Sequence, residues 1–274
     1  MEYKVLALDI DGTVTNSEKQ ITENTKNTIL QAQKQGIKVV LASGRPVHGV
    51  APLAHELELD RYEGYILAFN GGKIIDCKTQ KTIFEQVIQP EWVSKLYDAA
   101  KENNVHILSY TEDGNTVITE HPDDIYVQLE CRINNMPLRQ VSSFKESVRY
   151  PVNKCIMTDE DKVLAKVEPR VKEFVNGQLN VFRSEPFFLE VMPNHVDKAF
   201  ALQKLLETLG YTNKNLIACG DGYNDVSMLD FAGLGVAMEN AQDTAKKVSN
   251  FITRSNDEDG VAYAIDKFIL ETVR

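Results

Sequence analysis

The sequence predicts an α/β protein in which a doubly wound parallel sheet carries a second, α+β domain inserted into it. Short apolar runs, typical of strands buried on both faces of a sheet, alternate with helix-like segments near both ends of the chain. From about residue 83 the pattern changes to shorter segments in which apolar and polar residues alternate. The alternation of strands and helices resumes at Lys198. Strand–helix–strand order favours parallel strands joined by right-handed crossovers.

The N-terminal part of the chain contains the first half of the parallel sheet. Its predicted strands are residues 5–8, 37–42 and 65–69. A polar stretch, residues 14–21, is predicted to form a hairpin or flap after the first strand. The helix that follows is capped by Thr22 or Thr25 and stopped by Gly36, and a second helix spans residues 47–57.

The inserted segment is predicted to form an antiparallel sheet with helices on one face. Its strands are expected at residues 105–110, 115–119, 153–158 and 179–183, and its helices at 91–103, 123–133 and 161–175. The core then resumes with a helix at 198–209, strands at 216–219, 234–237 and 251–253, and a helix at 261–272. We therefore expect a catalytic core of residues 1–82 and 190–274 and a cap of residues 83–189.

Composition excludes several classes of function. The 274 residues carry a net charge of −10, which argues against a nucleic-acid partner, and a phosphate site must therefore be locally positive. No apolar run approaches the length of a membrane span, and no leader-like segment precedes the first strand. The four cysteines are scattered, which is typical of reduced thiols in a cytoplasmic protein.

Two aspartates close the first strand, in the run Leu8-Asp9-Ile10-Asp11-Gly12. A buried strand that ends in two carboxylates is electrostatically costly unless a cation lies there, and both could share Mg²⁺. The alternative is a turn that merely ends the strand. Polar groups also follow other apolar runs, and these groups are Ser43-Gly44-Arg45, Lys198, and Asp221 with Asn224 and Asp225.

Together these four segments resemble the signature motifs of the haloacid dehalogenase superfamily, most closely its Cof-type sugar-phosphate phosphatases with a large α/β cap of the C2B kind. The likeness covers residues 5 to about 265. Further matching segments are Phe69-Asn70-Gly71-Gly72, Glu190-Val191-Met192-Pro193, Gly233 to Ala241, and Thr253 with Asn256 and Asp259-Gly260-Val261.

The resemblance implies a role for each motif. Asp9 would attack phosphorus and form an aspartyl-phosphate, and Asp11 would act as general acid and base. Lys198 would hold nucleophile and phosphate together. Mg²⁺ would be bound by Asp9, the backbone carbonyl of Asp11 and Asp221, with Asp225 behind them or bound through water.

The phosphate of the substrate would contact Ser43, Gly44, Arg45 and Asn224. Ser43 has the alternative role of a helix N-cap, and Asn224 or Asp225 could likewise cap the helix that follows. Arg45 could instead pair with a carboxylate. His195 has no motif support and is expected on the surface.

The implied activity is Mg²⁺-dependent hydrolysis of a small phosphate ester, with sugar phosphates as the expected substrates and no membrane partner. Asp11 argues against a dehalogenase, because dehalogenases of the superfamily lack this carboxylate. A sugar-phosphate phosphomutase and a non-catalytic sugar-phosphate-binding module stay open as alternatives. The expected assembly is a monomer or a weak homodimer.

Overall fold

The computed structural model describes residues 3–271, which fall into two compact units. The chain crosses between them at residues 44/45, 49/50, 84/85 and 196/197. The sequence-based boundary at 82/83 lies close to one of these crossings. The boundary at 189/190 falls inside a strand, Phe188–Pro193, which pairs in the second unit, so residues 190–196 belong there.

The first unit is built on an eight-stranded sheet of order β14-β13-β12-β1-β2-β3-β4-β5. Its strands are β1 (Val5–Leu8), β2 (Lys38–Ala42), β3 (Tyr65–Ala68), β4 (Lys73–Asp76), β5 (Thr82–Glu85), β12 (Leu216–Gly220), β13 (Leu234–Ala237) and β14 (Phe251–Ile252). The six strands from β14 to β3 are parallel, and β4 pairs antiparallel with β3. The predicted parallel core is present, and β4 and β5 were not predicted.

The second unit contains a six-stranded sheet of order β10-β11-β9-β6-β7-β8. Its strands are β6 (His106–Tyr110), β7 (Val117–Thr119), β8 (Leu138–Gln140), β9 (Cys155–Thr158), β10 (Leu179–Glu185) and β11 (Phe188–Pro193). Every pairing is antiparallel except that of β7 with β8. The sequence predicted the antiparallel sheet, but it predicted neither β8 nor the place of β11 in this sheet.

Within the described residues, ten α-helices lie between or beside the strands. They are α1 (Glu23–Lys34), α2 (Val47–Glu56), α3 (Pro90–Glu102), α4 (Ile125–Ile133), α5 (Phe144–Ser147), α6 (Asp161–Val175), α7 (Lys198–Leu209), α8 (Val226–Phe231), α9 (Asp243–Val248) and α10 (Gly260–Ile265). Short 3₁₀ turns occupy Phe69–Gly71, Asn213–Asn215, Tyr223–Asp225 and Asn256–Glu258, and a π-helical turn, Asp266–Leu270, extends α10. Residue 272, the predicted end of this last helix, lies outside the described residues. No helix within residues 3–271 is long and apolar enough to cross a membrane.

Helix starts and stops follow local chemistry. Thr22 caps α1, because its hydroxyl accepts the N–H of Thr25, and Gly36 ends the segment with a φ of +88°. In the second unit, α3, α5 and α6 supply apolar residues such as Leu96, Phe144 and Val171 to the buried core beneath the sheet.

The order of the first sheet determines where polar groups can meet. Strand β1 lies between β2 and β12, with Leu8 opposite both Leu41 and Cys219. The chain proceeds from β1 to β2 on one side and returns through β12 on the other, so β1 is the point where strand order reverses. Ligands of open α/β sheets bind outside the carboxyl ends of the strands at such a point.

Candidate active site

Asp9 and Asp11 follow β1 but have different surroundings. Asp9 is buried, and its N–H donates to the carbonyl of Cys219 (3.0 Å), which ties it to the end of β12. The side chain of Asp11 is 37% exposed, and Lys19 Nζ donates to its Oδ1 (3.0 Å). One carboxylate is thus held inside the protein and the other meets solvent.

Lys198 is the first residue of α7 and is completely buried. Its Nζ lies 2.6 Å from Asp9 Oδ1 and 2.5 Å from Asp225 Oδ1. Burial alone would lower the pKa of this ammonium group, but the charges of Asp225 and Asp9 outweigh burial and raise it. Lys198 therefore stays protonated and neutralises one carboxylate charge.

Asp225 organises the loop that follows β12. Its Oδ2 accepts the backbone N–H groups of Asp221 (3.0 Å) and Gly222 (2.8 Å), while Oδ1 accepts Lys198. A side chain at Gly220 would place its Cβ only 2.6 Å from the Asp225 Cβ, so the close approach requires glycine. Asp225 is the N-cap residue of α8, but its carboxylate caps the preceding turn, Tyr223–Asp225, by accepting the Gly222 N–H, and does not bond to α8.

Three carboxylates form a cluster at this edge of the sheet. Asp9, Asp221 and Asp225 each offer one oxygen, and these oxygens lie within 4.8 Å of one another. Burial, and then the charge of Asp225, raises the pKa of Asp9. Burial raises the pKa of Asp221 to about 6, even though Thr13 Oγ1 donates to its Oδ1 (2.8 Å).

The charge of the cluster fits a divalent cation. Against three carboxylates the cluster contains one ammonium group, that of Lys198, which leaves two negative charges in excess when all are ionised. Burial raises the pKa values of Asp9 and Asp221, and the charge of Asp225 raises both further. Carboxylate and carbonyl oxygens are the ligands that Mg²⁺ prefers, so these residues could hold it.

Asn70, which lies in the matching segment Phe69-Asn70-Gly71-Gly72 but was not among the predicted phosphate contacts, links Ser43 to Asn224. Ser43 is buried, its N–H donates to the carbonyl of Leu67 (2.8 Å), and its carbonyl accepts the N–H of Asn70 (2.9 Å). Asn224 Nδ2 donates to Asn70 Oδ1 (3.0 Å). A Cβ at Gly44 would lie 3.1 Å from both amide atoms of Asn70, so the loop packs tightly against it.

The signal for Asn70 was present in the sequence as an Asn-Gly pair. Asn70 (φ 50°, ψ 29°) and Gly71 (φ 105°) form a tight turn between β3 and β4, closed by the N–H of Gly72 donating to the Phe69 carbonyl. This geometry is typical of a type I′ hairpin turn. Asn70 therefore forms the turn with its backbone and contacts Asn224 with its side chain.

Two further residues considered from the sequence are Arg45 and His195. Arg45 is half-buried and begins the segment Arg45–Gly49, which belongs to the second unit. His195 is exposed, as predicted.

The arrangement agrees with comparisons to known proteins. The sequence profile of the haloacid dehalogenase-like hydrolases matches residues 6–265. A crystal structure of a haloacid dehalogenase-like hydrolase from Bacteroides thetaiotaomicron is 46% identical, with a TM-score of 0.94 over 98% of this chain and 100% of that one.

Curated relatives include two proteins of Bacillus subtilis. YxeH, assigned as a phosphatase, is 31% identical over 271 residues (98% of this chain and 99% of YxeH). YcsE, named 5-amino-6-(5-phospho-D-ribitylamino)uracil phosphatase, is 29% identical over 270 residues (98% and 97%). The chain belongs to the haloacid dehalogenase superfamily, in its Cof-type branch, and is a phosphatase.

Proposed function

We propose that this phosphatase is a Mg²⁺-dependent phosphomonoester hydrolase that forms an aspartyl-phosphate on Asp9. The observation that carries the proposal is the pairing of Asp9 with the buried Lys198 inside a cluster with two excess negative charges. Phosphoryl transfer requires a positioned nucleophile, neutralisation of charge on the transferred group, and a proton donor for the leaving oxygen. Asp9 can supply the nucleophile and Asp11 the proton donor. A cation held by the carboxylates would complete the neutralisation of charge.

Asp9 is suited to the role of nucleophile. Lys198 holds one of its carboxylate oxygens at 2.6 Å, which leaves the second oxygen for attack on phosphorus. The Asp9 backbone is fixed by the bond from its N–H to Cys219. A carboxylate held in one orientation loses little entropy on reaction, and carboxylates are competent covalent nucleophiles.

Asp11 is suited to proton transfer. It lies two residues after Asp9 on the same strand end, and its side chain reaches solvent. It would give a proton to the leaving alcohol as the Asp9–phosphorus bond forms. It would then take a proton from the water that attacks the aspartyl-phosphate.

The residues that would hold Mg²⁺ are Asp9, Asp221 and the backbone carbonyl of Asp11. When bound, Mg²⁺ supplies positive charge to the phosphoryl oxygens and orients them. Both oxygens of Asp225 already accept hydrogen bonds, from Lys198 and from two backbone N–H groups. Asp225 therefore supports the site by fixing Lys198 and the loop that carries Asp221.

We infer that the substrates are small phosphorylated sugars or polyols. Support comes from YcsE, whose name specifies a phosphorylated ribityl compound. We place the reaction in the cytoplasm, because the four cysteines are free thiols, two of them, Cys155 and Cys219, in strands of the two buried sheets. The monomer or weak homodimer stays a prediction.

A screen of phosphorylated metabolites tests the proposal. The purified protein is incubated with sugar and polyol phosphates, with Mg²⁺ or with EDTA, and inorganic phosphate and sugar phosphate products are both measured. We expect phosphate release that EDTA abolishes and that Asp9→Asn removes. Full activity without metal would exclude the Asp9–Asp221 metal site. Isomerised glucose or mannose phosphate would indicate a mutase, and no turnover of any ester would indicate a binding module.

A further inference from the structure

The segment that follows Asp11 is held in place by side chains from the far end of the sequence. This segment, residues 12–22, which we call the flap, contains no helix or strand and only one isolated bridge, between Asp11 and Thr15. A segment without regular structure keeps a fixed position only through specific contacts. Besides the bond from Thr13 to Asp221, such contacts come from four polar residues, which we call the clasp: Asn240, Asn256, Asp257 and Asp259.

The inner part of the clasp is a relay of two side-chain amides. Asn240 Nδ2 donates to the carbonyl of Gly12 (2.8 Å), and Asn240 Oδ1 accepts the backbone N–H of Asn256 (3.0 Å). Asn256 Nδ2 in turn donates to the carbonyl of Thr15 (3.0 Å). A primary amide carries a donor and an acceptor on one short planar group, so asparagine suits the first position.

The outer part of the clasp holds the other end of the flap. Both carboxylate oxygens of Asp257 accept from Ser17, one from its N–H (2.8 Å) and one from its hydroxyl (2.7 Å). Asp259 Oδ1 accepts the hydroxyls of Thr22 (2.5 Å) and Thr25 (3.0 Å). Burial opposes ionisation of Asp259, but these hydrogen bonds outweigh it and lower its pKa.

The bond from Asn240 acts on the peptide unit beside the proposed acid and base. Gly12 adopts a φ of +83°, and a Cβ there would lie 2.6 Å from Asp221 Oδ2, so this backbone passes directly against the carboxylate cluster. On its far side the peptide is anchored, because Thr13 donates to Asp221. On the N-terminal side, Gly12 is joined directly to Asp11. Glycine permits many backbone conformations, so the Gly12 carbonyl needs an external partner to stay fixed.

We propose that Asn240 is a positioning residue for Asp11: its amide fixes the Gly12 carbonyl and thereby the direction of the Asp11 carboxylate toward the leaving group. The inference rests on the proposed function, since it needs Asp11 to be the proton donor. Asn240 is itself exposed, so replacing it should leave folding nearly unchanged.

The test separates substrates by their need for a proton. Asn240→Ala removes the donor and the acceptor, and the isosteric Asn240→Asp keeps the acceptor, removes the donor and adds a negative charge. Phospho-enzyme formation is followed by rapid quench with p-nitrophenyl phosphate, whose leaving group needs no proton, and with an alkyl ester such as glucose 6-phosphate. We expect both variants to slow formation from the alkyl ester by about tenfold or more, and from the nitrophenyl ester by less than about twofold.

Two further measurements exclude a merely structural role. The Mg²⁺ concentration for half-maximal activity should stay within about twofold of the wild-type value. Ser17→Ala, which loses one hydroxyl bond at the outer end of the flap, should keep the wild-type ratio between the two esters. Equal losses on both esters, no loss on either, or a raised Mg²⁺ requirement that points to Asp221 would overturn the role of Asn240. A wild-type protein that turns over neither ester would overturn the proposed function and this inference together.

Discussion

Each unit of the molecule buries a lysine against carboxylates, and the two sites differ in their charge balance. In the first unit Lys198 contacts Asp9 and Asp225, and both of its partners are buried. In the second unit Lys154 contacts a single carboxylate, that of Glu190, at 3.2 Å, and both side chains are nearly inaccessible. The second site is a neutral pair, whereas the first carries excess negative charge.

The difference shows what a buried ion pair can be used for. Removing two charges from water is expensive, and a one-to-one pair such as Lys154 with Glu190 approaches neutrality by itself. Its one defect is Glu190 Oε2, a buried oxygen without a hydrogen-bond partner among the described residues. The cluster around Lys198 has no such balance, and burial together with the charge of Asp225 raises the pKa of Asp9. Of the two sites, only the cluster around Lys198 would be stabilised by a bound cation.

The largest expected effect comes from Asp9→Asn, which preserves shape and removes the proposed nucleophile. We expect turnover to fall by about four orders of magnitude or more, since loss of a nucleophile normally has that effect. The measurement is steady-state phosphate release with Mg²⁺, with circular dichroism to verify the fold. Retention of more than about a hundredth of wild-type turnover would exclude the covalent route.

Asp11→Asn is expected to have the next largest effect. Because Asp11 lies outside the carboxylate cluster and its side chain is partly exposed, Mg²⁺ affinity should be nearly unchanged while kcat falls by about 10²–10⁴. With p-nitrophenyl phosphate the phospho-enzyme should accumulate, because water is no longer activated. With an alkyl phosphate, reaction should stall before that intermediate forms. Rapid quench of the two substrates decides, and equal losses without trapped intermediate would contradict the role of Asp11.

The sequence predicted the parts of the fold that local patterns control. Strand β1 is a continuous apolar run, and Lys198 stands directly after the capping residue Asp197, so both elements were placed correctly. Strands β4 and β5 were missed, because they are short and mostly half-exposed or exposed and their composition resembles that of loops. The boundary at 189/190 was misplaced, because the antiparallel pairing that holds this strand in the second unit has no local signature.

The candidate site was predictable as a set of residues but not as a geometry. Family likeness brought Asp9 and Lys198 together although 189 residues separate them. It did not indicate that Lys198 bridges Asp9 and Asp225, nor that Asn70 joins Ser43 to Asn224. Such contacts depend on strand register and on side-chain rotamers, which no short motif encodes.

A matched pair of carboxylate-to-amide changes tests the contrast between the two lysine sites directly. In EDTA, Glu190→Gln should lower the free energy of unfolding by about 3 kcal/mol, because it leaves the buried Lys154 charge unpaired. Asp9→Asn should leave stability unchanged or raise it, because Lys198 keeps Asp225 as its partner. Urea unfolding of both variants measures this. If Asp9→Asn were as destabilising as Glu190→Gln, the cluster around Lys198 would carry no excess negative charge, and the contrast between the two sites would be wrong.

The smallest expected effect is the pH dependence of Asp221→Asn in EDTA. The pKa of Asp221 in the folded protein is about 6, above the ordinary value of 3.8, so the folded state binds this proton more tightly than the unfolded state. Wild-type stability should therefore fall as pH rises from about 4 to 6, and the variant should escape this loss. Because Asp221 is only partly buried, we expect its advantage to grow by about 1–2 kcal/mol between pH 4 and pH 7.

Two controls make the Asp221 result specific to the cluster. Asp257→Asn removes a carboxylate whose hydrogen bonds from Ser17 lower its pKa, so this variant should gain no stability with rising pH. Added Mg²⁺ should reverse the order at pH 7, stabilising the wild-type protein more than Asp221→Asn, because the cation neutralises the charge that the variant has already lost. If Asp221→Asn and the wild type showed parallel stability curves from pH 4 to pH 7, Asp221 would not carry the excess charge. The cation would then have to be drawn by Asp9 alone.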